Sequence, residues 1–360
     1  MTSGPVKRLL FLAPALSALS VWCLGVQSGT IAPRLSLGAL SESRNVPPLA
    51  AHGQEPVLIP QSREQDDHAA MQAAMARPAE KDSLAFNGER AFDDLKRLVA
   101  FGPRPPGSKA LAESREWIIS QLKLAGCQVE EDSFVASTPV GNIPMTNVIA
   151  RIPGARPSVV ILAGHYDTLR VTGFTFVGAN DGGSSAAFLL ELARILGRRK
   201  NPVTYWLVFF DGEEALEHWS ATDSRYGSRH LEQKLASAGQ LGRVQAMILV
   251  DMIGDAKLDI YRDSDSTGWL NDMIFGNARR LGYSKYFLDS PPGAIQDDHN
   301  PFVDAGVSAV DVIDLDYGPR RSYWHTAQDT IDKCSALSLT IVGRVVTATL
   351  EELEKSPQIK

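Results

Sequence analysis

The stretch Phe209-Phe210-Asp211-Gly212-Glu213-Glu214-Ala215 sets three carboxylates within four positions, directly behind the apolar run 203–210. Adjacent glutamates repel, and they persist most easily at the mouth of a buried strand when a cation neutralises one and the other holds a proton. The pair therefore suits one metal ligand and one general acid/base. A solvated turn that happens to carry three acids is the competing reading of this stretch alone. Other reactive groups recur in the same setting. His165 and Asp167 follow the apolar residues 158–163, Asp251 follows 246–250, and loops carry Asp181, Asp297 and His325. Mixed imidazole and carboxylate donors suit zinc. Asp181 also reads as the N-cap of the helix behind it. His218, His230 and His299 read as packed or surface histidines, and His325, beside Trp324 in a loop without apolar periodicity, does not.

Continuous apolar runs are the mark of strands covered on both faces, and in such sheets ligands bind beyond the carboxyl ends of the strands. Periodicity predicts helices over 88–100, 109–125, 186–196, 227–235, 269–281 and 335–353. It predicts strands over 127–136, 145–152, 158–163, 203–210, 246–250, 258–261 and 307–313, with a long loop over 290–300. The fold class is α/β: a mixed, mostly parallel central sheet with helices on both faces and every polar cluster on one edge.

The chain opens with Lys7 and Arg8 and an apolar run over 9–26, so residues 1–30 read as a signal peptide or N-terminal membrane anchor. Export to the periplasm, the exterior or the outer side of a membrane follows as the expectation. Residues 31–82 alternate Pro, Ala, Ser, Gln and charges without periodicity and read as a disordered linker. Residues 83–360 make one catalytic domain. With 36 basic and 42 acidic residues the net charge is −6, and no basic block points to nucleic acid. Cys127 and Cys334 have no metal-type spacing, which leaves one disulfide or two free thiols.

From residue 101 to 353 the sequence resembles the glutaminyl-peptide cyclotransferases, which share their fold with the zinc aminopeptidases of the M28 type. The resemblance rests on Gly102-Pro103-Arg104-Pro105-Pro106-Gly107-Ser108, His165-Tyr166-Asp167, Phe176-Val177-Gly178-Ala179 and residues 209–215. It continues through His218-Trp219-Ser220, Asp223-Ser224-Arg225-Tyr226-Gly227-Ser228-Arg229-His230-Leu231, residues 295–302 and Trp324-His325-Thr326. The His-x-Asp and Glu-Glu elements are common to the aminopeptidases. The Trp219 segment, Gln296-Asp297-Asp298-His299 and Trp324-His325 resemble the cyclase branch.

The resemblance implies one zinc held by Asp181, Glu214 and His325, with Glu213 as acid/base and Asp251 and Asp297 as its acidic neighbours. Trp219, Trp324, Gln296 and Tyr317 would bind substrate. The implied substrates are peptide or protein N-termini that begin with glutamine, and the product is pyroglutamate with ammonia. The alternative within the same superfamily is a two-zinc aminopeptidase, in which His165 and Asp251 complete a second metal site and Asp181 bridges. A non-catalytic domain on this fold is disfavoured because all ligands and Glu213 are present. The sequence departs from the animal members at Asp311, where they carry histidine, at Tyr317, where they carry phenylalanine, and in a longer 317–324 loop. It also lacks their cysteine pair beside the metal site.

Overall fold

The computed structural model describes residues 86–359. The expected signal or anchor over 1–30 and the linker over 31–82 lie outside the described residues, as does the start of the expected domain at 83. Among the described residues no helix is long and apolar enough to cross a membrane.

Helix α1 (Gly88–Val99) starts where the Asn87 side chain accepts the Arg90 N–H, and α2 (Lys109–Leu124) starts where Ser108 accepts from Leu111. Such caps satisfy backbone donors that the first turn leaves free. A hairpin follows, β1 (Gln128–Thr138) and β2 (Gly141–Ile152), then β3 (Gly154–His165), α3 (Ser185–Leu196) and β4 (Asn201–Phe210). The chain continues through α4 (Tyr226–Ser237), β5 (Val244–Asp251), β6 (Ile260–Asp263), α5 (Gly268–Leu281), β7 (Phe287–Gly293), α6 (Asn300–Asp304), β8 (Ala309–Ile313) and α7 (Ala336–Leu353).

The main sheet has the order β1-β2-β4-β3-β5-β8, antiparallel across β1, β2 and β4 and parallel across β4, β3, β5 and β8. Strand side chains alternate between two cores. Val160, Leu162, Leu207 and Phe209 join one core with α1, α2, α3, α5 and α7. Ile161, Ala163, Val208 and Phe210 join the other with Leu231 and Leu235 of α4 and Phe302 of α6. Helices therefore cover both faces, as expected. The chain runs from β3 to β4 on one side and returns to β5 on the other, so the sheet order reverses at β3. The carboxyl ends of these three neighbouring strands carry His165, the Glu213-Glu214 pair and Asp251.

Two local expectations are corrected. The loop expected over 290–300 begins inside β7, which pairs in parallel with β6 as a separate two-stranded sheet; Pro291 and Pro292 hid this strand because proline disfavours a ladder position. Asp181 is no N-cap. The helix begins at Ser185, and Asp181 sits at φ −80°, ψ 103° in an irregular turn over Ala179–Ser184. Cys127 and Cys334 are buried free thiols.

Candidate active site

The backbone of this edge is fixed before any side chain reacts. Asp167, fully buried just past the end of β3, accepts the N–H of Glu213 at 3.2 Å through one oxygen and that of Glu214 at 3.3 Å through the other. Asp329 does the same for the turn on the opposite side. It accepts the N–H groups of Asn180 at 2.8 Å and Asp181 at 3.2 Å, together with the Tyr317 hydroxyl at 2.8 Å. Arg104, wholly buried, donates to the carbonyls of Leu98, Gly102, Val177 and Gly178 and so secures the segment that leads into Asp181. Gly182 completes the turn at φ +79°, where a Cβ would stand 2.3 Å from the Asp167 carbonyl oxygen.

These supports aim three side chains at one point. Nε2 of His325 lies 3.3 Å from Oδ2 of Asp181 and 3.3 Å from Oε1 of Glu214. Both carboxylate oxygens are buried without a hydrogen-bond partner. An edge of 3.3 Å belongs to a tetrahedron whose corners stand about 2.0 Å from its centre, the range of zinc bonds to nitrogen and carboxylate oxygen. Converging orphaned acceptors at this spacing fit a zinc ion. His325 holds its place at φ +53°, a left-handed conformation rare outside glycine.

Electrostatics favour a cation at this point. Burial and Asp181 push Glu214 up to about 7, against the pull of His325. Burial, together with Asp297, Glu214 and Asp298, holds Glu213 well above the usual carboxylate range, although His165 opposes it. His325 is raised to about 11: burial lowers it, and Glu214 and Asp181 overcome that effect. Burial and Asp251 lift Asp297 to about 7, and burial with Asp297, Asp251 and Asp263 lifts Asp311 far above its ordinary value. So much uncompensated acid takes up protons unless a metal supplies the charge.

A second group stands beside the first. Nε2 of His165 lies 3.1 Å from Oδ1 of Asp251 and 3.2 Å from Oδ1 of Asp181, so Asp181 faces both groups with different oxygens. Asp251, an implied acidic neighbour of Glu213, hydrogen-bonds with His165 and, at 3.5 Å, accepts from the Ser185 hydroxyl. Glu213 lies outside the first triad, 4.0 Å from Nδ1 of His165.

At the mouth, Trp219 is 40% exposed and its Nε1 donates to Oε1 of Gln296 at 3.3 Å. The half-buried Trp324 ring lies 4.4 Å from the His325 ring. Tyr317, expected at the substrate, is instead fully buried among Met252, Ile313 and Trp324 with its hydroxyl on Asp329. The phenol finds its acceptor beneath the loop, which makes it a support for the Asp181 turn. His299 is a buried core histidine, Nε2 3.0 Å from Asp263, and His230 stacks on Phe134 beside Asp132; His218 is exposed. Asp329 carried no sequence signal. Arg104 and Asp167 lay within quoted motifs without an assigned role.

The family model for peptidase family M28 matches residues 147–350. A glutaminyl-peptide cyclotransferase-like protein of Bos taurus is 34% identical over 277 residues, covering 69% of this chain and 72% of that protein. The chain belongs to family M28, in its glutaminyl-peptide cyclotransferase branch. Among solved structures, the glutaminyl cyclase of an Acidobacteriales bacterium is 42% identical, with a TM-score of 0.74 over 77% of this chain and 98% of that one. A Zn-dependent exopeptidase from Parabacteroides distasonis is similar at 25% identity, TM-score 0.68, covering 74% and 98% of the respective chains. Both branches of this superfamily thus share the fold found here.

Proposed function

We propose that this protein is a zinc-dependent glutaminyl-peptide cyclotransferase that converts N-terminal glutamine of peptides into pyroglutamate and releases ammonia. The observation that carries the reading is the triad of Asp181, Glu214 and His325, with Glu213 buried next to Glu214 in the chain, in a protein whose relatives bear that name. Asp181, Glu214 and His325 would hold one zinc ion per chain, which would supply Lewis-acid polarisation of the γ-carboxamide. The protein's own groups do the rest. Glu213 accepts a proton from the attacking α-amine, whose ordinary pKa is about 7.7–8.0, and returns it to the departing nitrogen. A carboxyl held high by burial suits both halves of that transfer. Asp297 and Asp251 share the charge that develops around Glu213. Trp219, Gln296 and Trp324 line the opening and hold the folded side chain, with the α-amine turned back onto its own carboxamide.

One observation favours a second reading, a two-zinc aminopeptidase: Oδ1 of Asp181 and Oδ1 of Asp251 face Nε2 of His165 at tetrahedral spacing. A single assay on the purified domain separates the two. With a Gln-initiated dipeptide the cyclotransferase yields pyroglutamyl product and ammonia in equal amounts, and a Leu-initiated dipeptide stays intact. Cleavage of the Leu-initiated peptide with no pyroglutamate from the other overturns the assignment.

Export is part of the same proposal, supported by the basic residues and apolar run at 7–26. Cell fractionation tests it. Recovery of the enzyme from the cytosol with its first thirty residues intact contradicts export, and retention in the membrane pellet marks residues 9–26 as an anchor.

A further inference from the structure

Trp219 is exposed at the mouth, so core packing does not fix it. Two polar contacts hold it from different directions. Its Nε1 donates to Gln296, and the guanidinium of Arg225 lies 5.8 Å from its ring centroid, within cation–π reach. Arg225 is itself 92% buried by its 8% exposure, and it bridges both sides of the pocket. Its backbone N–H donates to the Glu213 carbonyl at 2.7 Å. Its Nη1 donates to Oδ1 of Asn300 at 3.0 Å, and the same Asn300 oxygen accepts the N–H of Asp297 at 2.8 Å. Nε turns to the Ser224 hydroxyl at 3.3 Å. The contacts close a ring: Trp219 to Gln296, along the chain to Asp297, through Asn300 to Arg225, and back to the indole.

Neutral oxygens and an aromatic face answer this buried charge. An arrangement of that kind is not a stabilising ion pair, and a planar fork that reaches two partners at once is what arginine offers over lysine. The backbone points the same way. Arg225 sits at φ +51°, ψ 36°, a left-handed conformation that glycine adopts without strain and a Cβ-bearing residue resists. Strained non-glycine residues persist where the surrounding structure over-determines them, and they cluster at active sites and ligand clamps.

We propose that Arg225 is a positioning residue for the cyclisation, a two-point clamp that holds the Trp219 loop and the Asp297 loop in register around Glu213. The proposal rests on the cyclotransferase reading given above. Loss of the clamp frees the indole and the Asp297 segment together, while the triad, supported by Asp167 and Asp329, stays assembled.

The test exploits the backbone. In Arg225→Gly the left-handed position is relieved, so a purely structural turn residue would leave folding and turnover intact. The clamp requires instead that kcat fall roughly 10- to 100-fold, the scale of a misplacement near 1 Å, with zinc content unchanged and KM moving less than kcat. Amide hydrogen exchange rises together in residues 216–226 and 295–300. A surface cavity of about 390 Å³ opens onto Arg225 between α4 and α6, so millimolar guanidinium restores part of the lost kcat and of the protection, and urea at the same concentration does not. Asn300→Ala, which breaks the other end, gives the same phenotype, and the double variant loses little more because both act on one unit. Full activity in Arg225→Gly, full rescue by Arg225→Lys, or additive losses in the double variant overturn the clamp. Should Arg225→Gly fail to fold, Asn300→Ala and Arg225→Lys decide alone. If the parent enzyme makes no pyroglutamate, the reaction assignment has failed, and exchange at the two loops still decides the clamp.

Discussion

Asp167→Asn separates the support of the site from its chemistry. The substitution keeps shape and burial, removes one negative charge, and turns one of the two acceptor oxygens into an NH₂ group. In the parent those oxygens take the N–H groups of Glu213 and Glu214 at 3.2 and 3.3 Å. One of these bonds is lost outright and its N–H is left buried opposite a donor. An orphaned buried donor costs about 1–3 kcal/mol, and a bond to a charged acceptor contributes about 1.5–3 kcal/mol by the same measure, so the folded state should lose roughly 1.5–3 kcal/mol. The backbone that carries both glutamates then relaxes. Zinc affinity should fall about 10- to 100-fold, as when a group that orients a ligand is removed. Turnover at saturating zinc should fall on the order of 100-fold, because Glu213 no longer points at the amine. Chelator competition gives the zinc affinity, thermal unfolding gives the stability, and ammonia release gives the turnover. If Asp167→Asn binds zinc and turns over within about threefold of the parent, the two N–H bonds do not position the site and the reasoning fails.

Glu213→Gln should keep zinc and lose nearly all turnover, since the amide preserves shape and cannot carry the proton; loss of zinc instead would exchange the roles of Glu213 and Glu214. Trp324→Ala should leave zinc bound through His325 and lower pyroglutamate formation by roughly 10- to 1000-fold, because the pocket no longer holds the near-attack geometry. A steady-state assay with a Gln-initiated peptide checks it, and undiminished turnover would remove Trp324 from the pocket wall. Burial and the neighbouring Asp167 push Asp211 up to about 8. Its folded value therefore lies above its unfolded one, so stability is fully present below about 4 and is lost as pH rises through about 8, by up to about 1.4 kcal/mol per unit. Asp211→Asn, which keeps an acceptor for the Thr146 N–H, should melt progressively higher than the parent as pH rises from about 5 to about 8, the difference levelling off above that. A constant difference in melting temperature from about pH 5 to about pH 8 would show that Asp211 does not titrate there.

Strands β3, β4 and β5 were legible because each is an unbroken apolar run that stops at a charged residue, a pattern only a doubly covered sheet requires. Their ends then delivered His165, Glu213, Glu214 and Asp251 to one rim without further assumption. β7 was not legible, since Pro291 and Pro292 interrupt the pattern and its partner β6 is only four residues long. The Asp181 turn escaped for another reason. An acid before a helix normally caps it, but here the helix starts only at Ser185, and Asp329, 148 residues from Asp181, accepts the N–H groups of Asn180 and Asp181 and fixes the turn that presents the Asp181 carboxylate to the triad. Tyr317 was misplaced for the same cause, because its hydroxyl follows Asp329 into the interior. Contacts between residues so distant in sequence leave no periodic trace, so Asp329 could not be found from the chain alone. Arg104 stood in the Gly102–Ser108 motif, yet its contacts with the carbonyls of Val177 and Gly178, more than 70 residues away, exist only once the Asp181 turn has folded.

The central claim is that Asp181, Glu214 and His325 form a single working metal site with Glu213 as its acid/base. Titration of the metal-free protein with zinc, with pyroglutamate formation followed at each addition, tests it most directly. Activity should rise in proportion to zinc and level off at one equivalent per chain, with no cleavage of a Leu-initiated peptide at any point. Activity that stays absent until a second equivalent is bound, together with release of free leucine, would place a second metal between His165, Asp181 and Asp251 and contradict the account.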